Sequence, residues 1–324
     1  MEISKYAYSQ LSSQSVGHLV ALFYDFPETI SCKFYVLGLH DNYLIENEHE
    51  KYILRIYRND WRSPEEIYFE LELLDFLDAG NAPVASPLPT KTGEFSFFID
   101  SPEGKRLAAL FCYADGYAPG NKISVEESAL LGKAVASVHQ ITDKFETAHT
   151  RQVLDIPYLL DQSILAIEPF IDAEARSYMN TVQFVLKDAL ASLSPEADIY
   201  GICIGDVNPT NLHINTKKEI TLFDFDQCGY GYRAFEIGKF ISSVHSIKSK
   251  LSIASAFIDG YQKVRRLTKE ELYAIPYFEI ISIIWVMAIH AYNANRIGYK
   301  WLEKPFWDRQ LAVLKELDNL IHNQ

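Results

Sequence analysis

The segment Tyr200–Glu236, YGICIGDVNPTNLHINTKKEITLFDFDQCGYGYRAFE, constrains this chain more than any other. It places Asp206 and Asn211 in a D-x-x-x-x-N loop, with Asp224 further on in Leu222-Phe223-Asp224-Phe225-Asp226. The apolar runs Leu212–Ile214 and Ile220–Phe223 flank a polar stretch, Asn215–Glu219, a pattern that predicts a β-hairpin. Such a hairpin brings Asn211 and Asp224 to its open end, where one cation can reach both. Phosphoryl transfer from ATP needs this group set: a carboxylate to orient the attacking hydroxyl, and an amide and a second carboxylate to hold Mg²⁺ on the phosphates. D-x-x-x-x-N alone says little, because Asp, Asn and Pro are common turn formers. The apolar–Asp–Phe–Asp run that follows makes the combination specific.

On these residues the chain resembles the aminoglycoside phosphotransferase/choline kinase superfamily, the small-molecule branch of the protein-kinase fold. Within it, the chain looks most like the type II homoserine kinases and the bacterial stress-response kinases. Those families carry H-G-D-x-x-P-x-N and then I-D-F-D-x-x-G-Y-x-x-R. This chain has Gly205-Asp206-Val207-Asn208-Pro209-Thr210-Asn211, then Phe223-Asp224-Phe225-Asp226 and Gly229-Tyr230-Gly231-Tyr232-Arg233. The resemblance implies an α+β, bilobal protein-kinase-like fold: an antiparallel-sheet N-lobe with one main helix, and a larger, mostly helical C-lobe. It also implies ATP and Mg²⁺ as cofactors, bound between the lobes, with Asp206 as catalytic base and Asn211 and Asp224 as metal ligands. There are two departures. Ile204 stands where the His of H-G-D, thought to brace the metal loop, is usual. Arg55 stands where the third strand usually carries a phosphate-binding Lys, and arginine meets phosphate as a planar fork rather than a point charge.

The rest of the chain reads in the same order. Ser12–Tyr24 has helical spacing, and Cys32–Leu39, Tyr43–Glu46 and Tyr52–Arg58 read as consecutive antiparallel strands. Ser63-Pro64-Glu65-Glu66 is a helix start: a cap, a proline at the first position and acids in the first turn. Gly80 ends that helix. Phe95–Ile99 and Leu107–Tyr113 read as a further hairpin, and the breaker-rich Ala114–Gly120 marks a boundary. The expected domains are an N-lobe over residues 1–113 and a C-lobe over 114–324. The C-lobe helices are expected over Val125–Thr142, Ala173–Ser192, Arg233–His245, Ile253–Val264, Pro276–Ile297 and Phe306–Ile321.

Further site candidates follow, each beside a plainer reading. Two acids at i and i+2 of one strand share a face. Asp226 is therefore expected to bind a second metal or orient Asp224, or else simply to cap the next segment. Glu70, on the Ser63-capped helix, is the expected partner of Arg55, or else one of several solvated acids. Asn42 lies where a phosphate-covering loop belongs, in Gly38-Leu39-His40-Asp41-Asn42, which is equally a simple turn. Cys112 and Tyr113 occupy the position of a hinge whose backbone groups would meet adenine. Arg233 and Glu236 read as a structural pair across a helix start, or else as lining of the acceptor site, and His139, His213 and His290 read as structural residues. Trp285, Tyr292, Trp301, Phe306 and Trp307 read as core. Asn293, Asn295 and Arg296 are candidate contacts to the phosphate acceptor.

Composition sets outer bounds. A formal net charge of -13 over 324 residues argues against general nucleic-acid binding, which needs a basic stripe. Cys32, Cys112, Cys203 and Cys228 form no C-x-x-C and read as reduced, mostly buried thiols of a cytoplasmic protein. The N-terminus carries no basic and apolar leader pattern, and the most apolar run, Ile280–Ile289, is too short to span a bilayer, so no membrane partner is expected. The function expected is transfer of the γ-phosphate of ATP to a hydroxyl of a small molecule: an amino alcohol, an amino acid or an aminoglycoside-like compound. Two alternatives stand beside it, a Ser/Thr protein kinase of the stress-response type and a non-catalytic ATP-binding pseudokinase.

Overall fold

A computed structural model describes residues 6–26, 29–195 and 198–322. The first five residues of the stretch read for a leader lie outside the described residues. The chain divides into two compact units. It is mixed α+β, with the kinase-like order of an antiparallel sheet followed by many helices.

One unit holds the chain to Gly116, with Phe145–Thr150 and His213–Phe223. It begins with α1 (Ser13–Phe23), followed by β1 (Ser31–Leu37), β2 (Asp41–Glu46), β3 (Lys51–Ile56), α2 (Pro64–Ala79), β4 (Phe97–Ser101) and β5 (Gly104–Cys112). The strands form one antiparallel sheet in the order β1-β2-β3-β5-β4. Alternation assigns its faces. Tyr43, Ile45, Leu54, Ile56, Ala108 and Leu110 turn to one side and pack with Val16, Val20 and Tyr24 of α1 and its C-terminus. Arg55 turns to the other side, towards α2. α2 starts as its sequence requires. Glu66 N donates to Ser63 Oγ, Ser63 N donates to Glu66 Oε2, and Pro64 takes the first position. A buried arginine that the sequence reading did not single out ties the strands together. Arg106 Nη2 lies 2.7 Å from Asp41 Oδ2, while its Nε donates to Tyr57 O and its Nη1 to Ser9 O, both at 2.9 Å. In this unit the predicted hairpin forms from β7 (Leu212–Ile214, its first residue assigned to the other unit) and β8 (Ile220–Leu222). Asn215 N donates to Glu219 O at its turn, and β8 docks through hydrogen bonds between Leu222 and the 83–85 segment.

The other unit holds Tyr117–Lys144, Arg151–Leu212 and Asp224 onward. Its elements are α3 (Val125–Thr142), α4 (Ser163–Ile167), α5 (Ala173–Leu190), β6 (Tyr200–Cys203), β9 (Gly229–Tyr232), α6 (Arg233–Ser243), α7 (Lys250–Gln262), α8 (Lys269–Tyr292), α9 (Ala294–Ile297) and α10 (Lys304–His322). β6 pairs antiparallel with β9, Cys203 opposite Gly229 and Tyr200 opposite Tyr232, which places the Asp206 loop beside the segment that leads into β9 and the start of α6 beside the start of β6. α3 and α7 approach backbone to backbone through Gly132 and Gly260. A Cβ on either would collide with a carbonyl of the facing helix, Phe257 O or Ala129 O.

Three expectations are corrected. α8 begins at Lys269 rather than Pro276, because Thr268 and Glu271 form a reciprocal cap and the helix carries Pro276 inside it. The helix containing Ile280–Ile289 is thus 24 residues long, enough by length and composition to cross a membrane. Its most apolar window is 61% buried within the protein, as in a core helix. Cys203 and Cys228 are buried, but Cys112 is exposed and Cys32 half-buried, so burial does not describe most of the thiols. Of the aromatic set, Trp285 and Trp307 are core, whereas Trp301 is 75% exposed.

Candidate active site

Asp206 sits in the loop after β6, held from three directions. Its Oδ1 is 2.7 Å from Lys239 Nζ. Its Oδ2 accepts from Asn211 Nδ2 at 2.9 Å, and its backbone carbonyl accepts from Asn211 Nδ2 and Asn208 Nδ2 at 3.0 and 3.1 Å. The Asp206 side chain keeps 31% of its surface exposed while Lys239 keeps 5%, so the carboxylate can meet a substrate that the ammonium cannot easily reach. Burial acts to raise the Asp206 pKa. The Lys239 charge and hydrogen bond, with the Asn211 and Asn208 amides, outweigh it and hold the carboxyl below its ordinary value.

Asn211 donates its Nδ2 twice to Asp206, which fixes the amide orientation and directs its Oδ1 away from that carboxylate. Asn211 and Asp224 flank the β7–β8 hairpin at the end opposite its turn. Their donor set, an amide oxygen and a carboxylate, suits a hard cation such as Mg²⁺ that keeps its other positions for phosphate and water. The premise that Asp224 and Asp226 share a strand face does not hold. β8 ends at Leu222, and Asp224 has φ 65°, which turns the chain out of strand geometry. Asp226 is buried and accepts from Gln227 Nε2 at 2.9 Å. Its backbone carbonyl accepts from Arg151 Nη2, and Arg151 Nε donates to Cys228 O at 2.7 Å. Gly205, at φ 86°, lets the two loops meet, since a Cβ there would strike Gln227 O.

Glu236 and Lys239, one turn apart on α6, are the pieces the sequence reading missed or misplaced. Glu236 does not pair with Arg233. Its two carboxylate oxygens accept the backbone N–H groups of Ile204 and Gly205, the latter at 2.9 Å. It therefore braces the loop from the helix at the place where Ile204 removes the usual His. Burial pushes the Glu236 carboxyl up to about 7 against those two hydrogen bonds. His139 Nε2 lies 3.4 Å from Glu236 Oε2, and His139 Nδ1 lies 2.7 Å from the Tyr261 hydroxyl. Burial, reinforced by Arg233 and Arg265, keeps the His139 pKa well below its ordinary value, so the ring is neutral. Arg233 instead binds His139 O and Asp143. His139, Cys203 and Glu236 lie close enough to suggest a metal cluster, but all three are buried and engaged with the protein, as structural residues are.

In the sheet unit, Arg55 Nη1 pairs with Glu70 Oε1 at 3.1 Å, and the Tyr57 hydroxyl donates to Glu70 Oε2 at 3.3 Å. Glu70 is wholly buried, so it is not a solvated acid. Asn42 stands opposite Arg55 in the β2–β3 register and donates to His40 O at 3.4 Å. The Cys112 N–H is spent on Ser86 O at 2.9 Å, and Ala114 O accepts from His213. Tyr113 stacks edge-on with His213, its centroid 6.0 Å away.

A cavity of about 530 Å³ opens beside Asp206 and Lys239, within the helical unit. Ser242, Ser243, His245 and Ser246 line it, with Ile283, Val286 and Gln310. Asn293, Asn295 and Arg296 are not among its lining residues.

Lys239 tunes the loop carboxylate. In Lys239→Met the Asp206 pKa rises, because its main opposing charge is gone. A reaction that needs the ionised carboxylate then loses rate at a higher pH than in the wild type. The check is the acid limb of kcat/KM against pH, which moves upward in the variant. The stability that depends on the depressed pKa, present above the ordinary value of 3.8 and lost as pH falls through the folded value, shrinks in parallel.

Comparison with known proteins gives a consistent picture. The model of the phosphotransferase enzyme family matches residues 34–273. The uncharacterized protein sll1119 of Synechocystis sp. is 36% identical over 314 residues, 96% of this chain and 86% of its own. Among solved structures, a microcompartment-associated aminopropanol kinase matches with a TM-score of 0.78 at 20% identity, over 94% of this chain and 95% of its own. The amicoumacin kinase hAmiN, solved in complex with AMP-PNP, Ca²⁺ and Ami, matches with a TM-score of 0.76 at 22% identity, over 95% and 94%.

Proposed function

Because this chain belongs to the phosphotransferase enzyme family, we propose that it moves the γ-phosphate of ATP to a hydroxyl of a small molecule, with Mg²⁺ as the metal. One observation carries the reading: Asp206 is ionised, partly exposed and opens on a cavity sized for a small ligand. Asp206 accepts or orients the proton of the acceptor hydroxyl. The Oδ1 of Asn211 and the carboxylate of Asp224 hold the cation. Bound ATP-Mg²⁺ supplies the activated phosphoryl group and neutralises its charge. Arg55, steadied by Glu70, binds phosphate oxygens. Asn42 organises its loop, and the backbone at Cys112 and Tyr113 faces adenine, Cys112 without its N–H, which Ser86 O already holds. Asp226 acts by shaping the Asp224 segment. Positioning and charge neutralisation provide most of the acceleration in such a site.

Glu236 takes over the brace that Ile204 removes, and the Arg55–Glu70 pair preserves a cation in the sheet, so both departures from the family pattern have a substitute. This favours a catalyst over a pseudokinase. Amino alcohols, amino acids and aminoglycoside-like compounds are the acceptor classes the family resemblance suggests. A generic protein substrate tests the protein-kinase alternative.

The nucleotide half is tested by calorimetry. Asp224→Ala is expected to weaken ATP binding by about tenfold or more with Mg²⁺ present, and to leave it nearly unchanged in EDTA. Equal weakening in both conditions would remove Asp224 from the metal.

A further inference from the structure

The geometry points to an uncharged polyhydroxy compound, of sugar or polyol type, as the occupant of the cavity beside Asp206. This rests on the reading of that cavity as the acceptor pocket. An ammonium group held away from water is bound best by an uncompensated carboxylate or by the faces of aromatic rings, which offset its lost hydration more than neutral acceptors do. Among the described residues lining the cavity, the only carboxylate is Asp206, and none is Phe, Tyr or Trp. Asp206 shares its charge with Lys239 at 2.7 Å, which weakens its pull on a substrate amine. The remaining titratable liner, His245, has its ring nitrogens occupied. Nδ1 lies 3.1 Å from Lys250 Nζ, and Nε2 lies 3.6 Å from the Glu316 carboxylate. An anionic acceptor fares no better, because the Lys239 charge is spent on Asp206 and the incoming anion would face that carboxylate.

What the cavity does offer is neutral hydrogen bonding. Ser242 and Ser243 donate their hydroxyls back to Lys239 O and Phe240 O, at 2.8 and 2.6 Å, and Ser242 Oγ also accepts from Ser282 Oγ at 2.7 Å, so one lone pair of Ser242 and those of Ser243 are left to accept from a ligand. Asn121, Ser246 and Gln310 also line it, and they supply both donors and acceptors. Ile283, Val286 and Val313 give an apolar wall of the kind that meets the C–H face of a sugar ring. Alternating hydroxyls and C–H groups match this lining, whereas a cationic amine finds the charges there already paired, Lys239 with Asp206 at 2.7 Å and Lys250 with Glu279 at 2.8 Å.

The test uses the full chain with two readouts and matched probes: D-glucose against D-glucosamine, and glycerol against ethanolamine, with maltose and myo-inositol as further neutral members. Saturation-transfer NMR with AMP-PNP and Mg²⁺ reads binding, and ADP release with ATP-Mg²⁺ reads turnover. The neutral member of each pair is expected to be favoured by about tenfold or more. Gln310→Glu, which places a carboxylate in the lining, is expected to shift that ratio towards the amine by a similar factor. Preference for the amine in the wild type, no binding of any neutral probe, or an unchanged ratio in Gln310→Glu would each overturn the assignment. Selective binding of neutral probes without ADP release would uphold the pocket chemistry and remove the phosphotransfer reading. ADP release with amine preference would do the reverse.

Discussion

Asp206→Asn is expected to lower kcat by a factor on the order of 10³, within the range for loss of a positioned general base, while ATP affinity stays within about twofold. The replacement is nearly isosteric, and its Oδ1 can still receive the Asn211 amide. What it removes is the charge that takes up a substrate proton. It also leaves Lys239, which keeps only 5% of its side-chain surface exposed, without its counter-ion. Some loss of stability accompanies the loss of rate, of a few kcal/mol for a buried charge stripped of its partner. Melting curves therefore belong beside the kinetics. A variant that is folded, binds ATP and does not turn over is the expected result. A folded variant that retains its rate would show that another group is the base.

The second large effect concerns stability. Glu236→Ala is expected to cost about 3–5 kcal/mol, because it orphans the buried N–H groups of Ile204 and Gly205 and removes a packed side chain. Denaturant titration checks this. The pH dependence carries its own sign. Burial raises the Glu236 pKa in the folded protein to about 7 from its ordinary 4.5, so between those values the folded state holds a proton that the unfolded chain has released. The stability advantage of the wild type over Glu236→Gln is therefore fully present below about pH 4.5 and is lost as pH rises towards 7. His139, buried and neutral, acts in the opposite sense in both proteins, destabilising the fold as pH falls below its ordinary 6.5, and the His139→Gln background separates its share from that of Glu236, which it touches at 3.4 Å. A difference that stays flat with pH would mean that Glu236 keeps its charge throughout.

How far the sequence carried the reading is clearest at the loop. That Asp206 and Asn211 come together was legible because it depends on a local turn, and the structure joins them by a 2.9 Å hydrogen bond. The β7–β8 hairpin was legible from two short apolar runs around polar turn residues. The Arg55–Glu70 pair came from the kinase resemblance and one well-capped helix, since strand alternation alone does not decide which way Arg55 faces. Glu236 and Lys239 were not legible in the same way. They act on a loop some thirty residues earlier in the chain, and F-E-I-G-K-F carries only the helical period that any core helix carries. Asp224 and Asp226 were misread for a different reason. Alternation assumes an extended backbone, and a single residue at φ 65° ends it. Pro276 led the start of α8 astray because a proline is a start signal more often than a tolerated interior residue, and the true start was written eight residues earlier in Thr268 and its partner Glu271.

The most direct measurement is ADP release from ATP-Mg²⁺ across hydroxylated metabolites, neutral sugars, amino alcohols, aminoglycosides and a generic protein substrate, with Asp206→Asn run beside the wild type. Release stimulated by a small hydroxylated compound, and absent in the folded variant, is the result this account predicts. Release that no compound stimulates, or stimulated release that survives in Asp206→Asn, would contradict it.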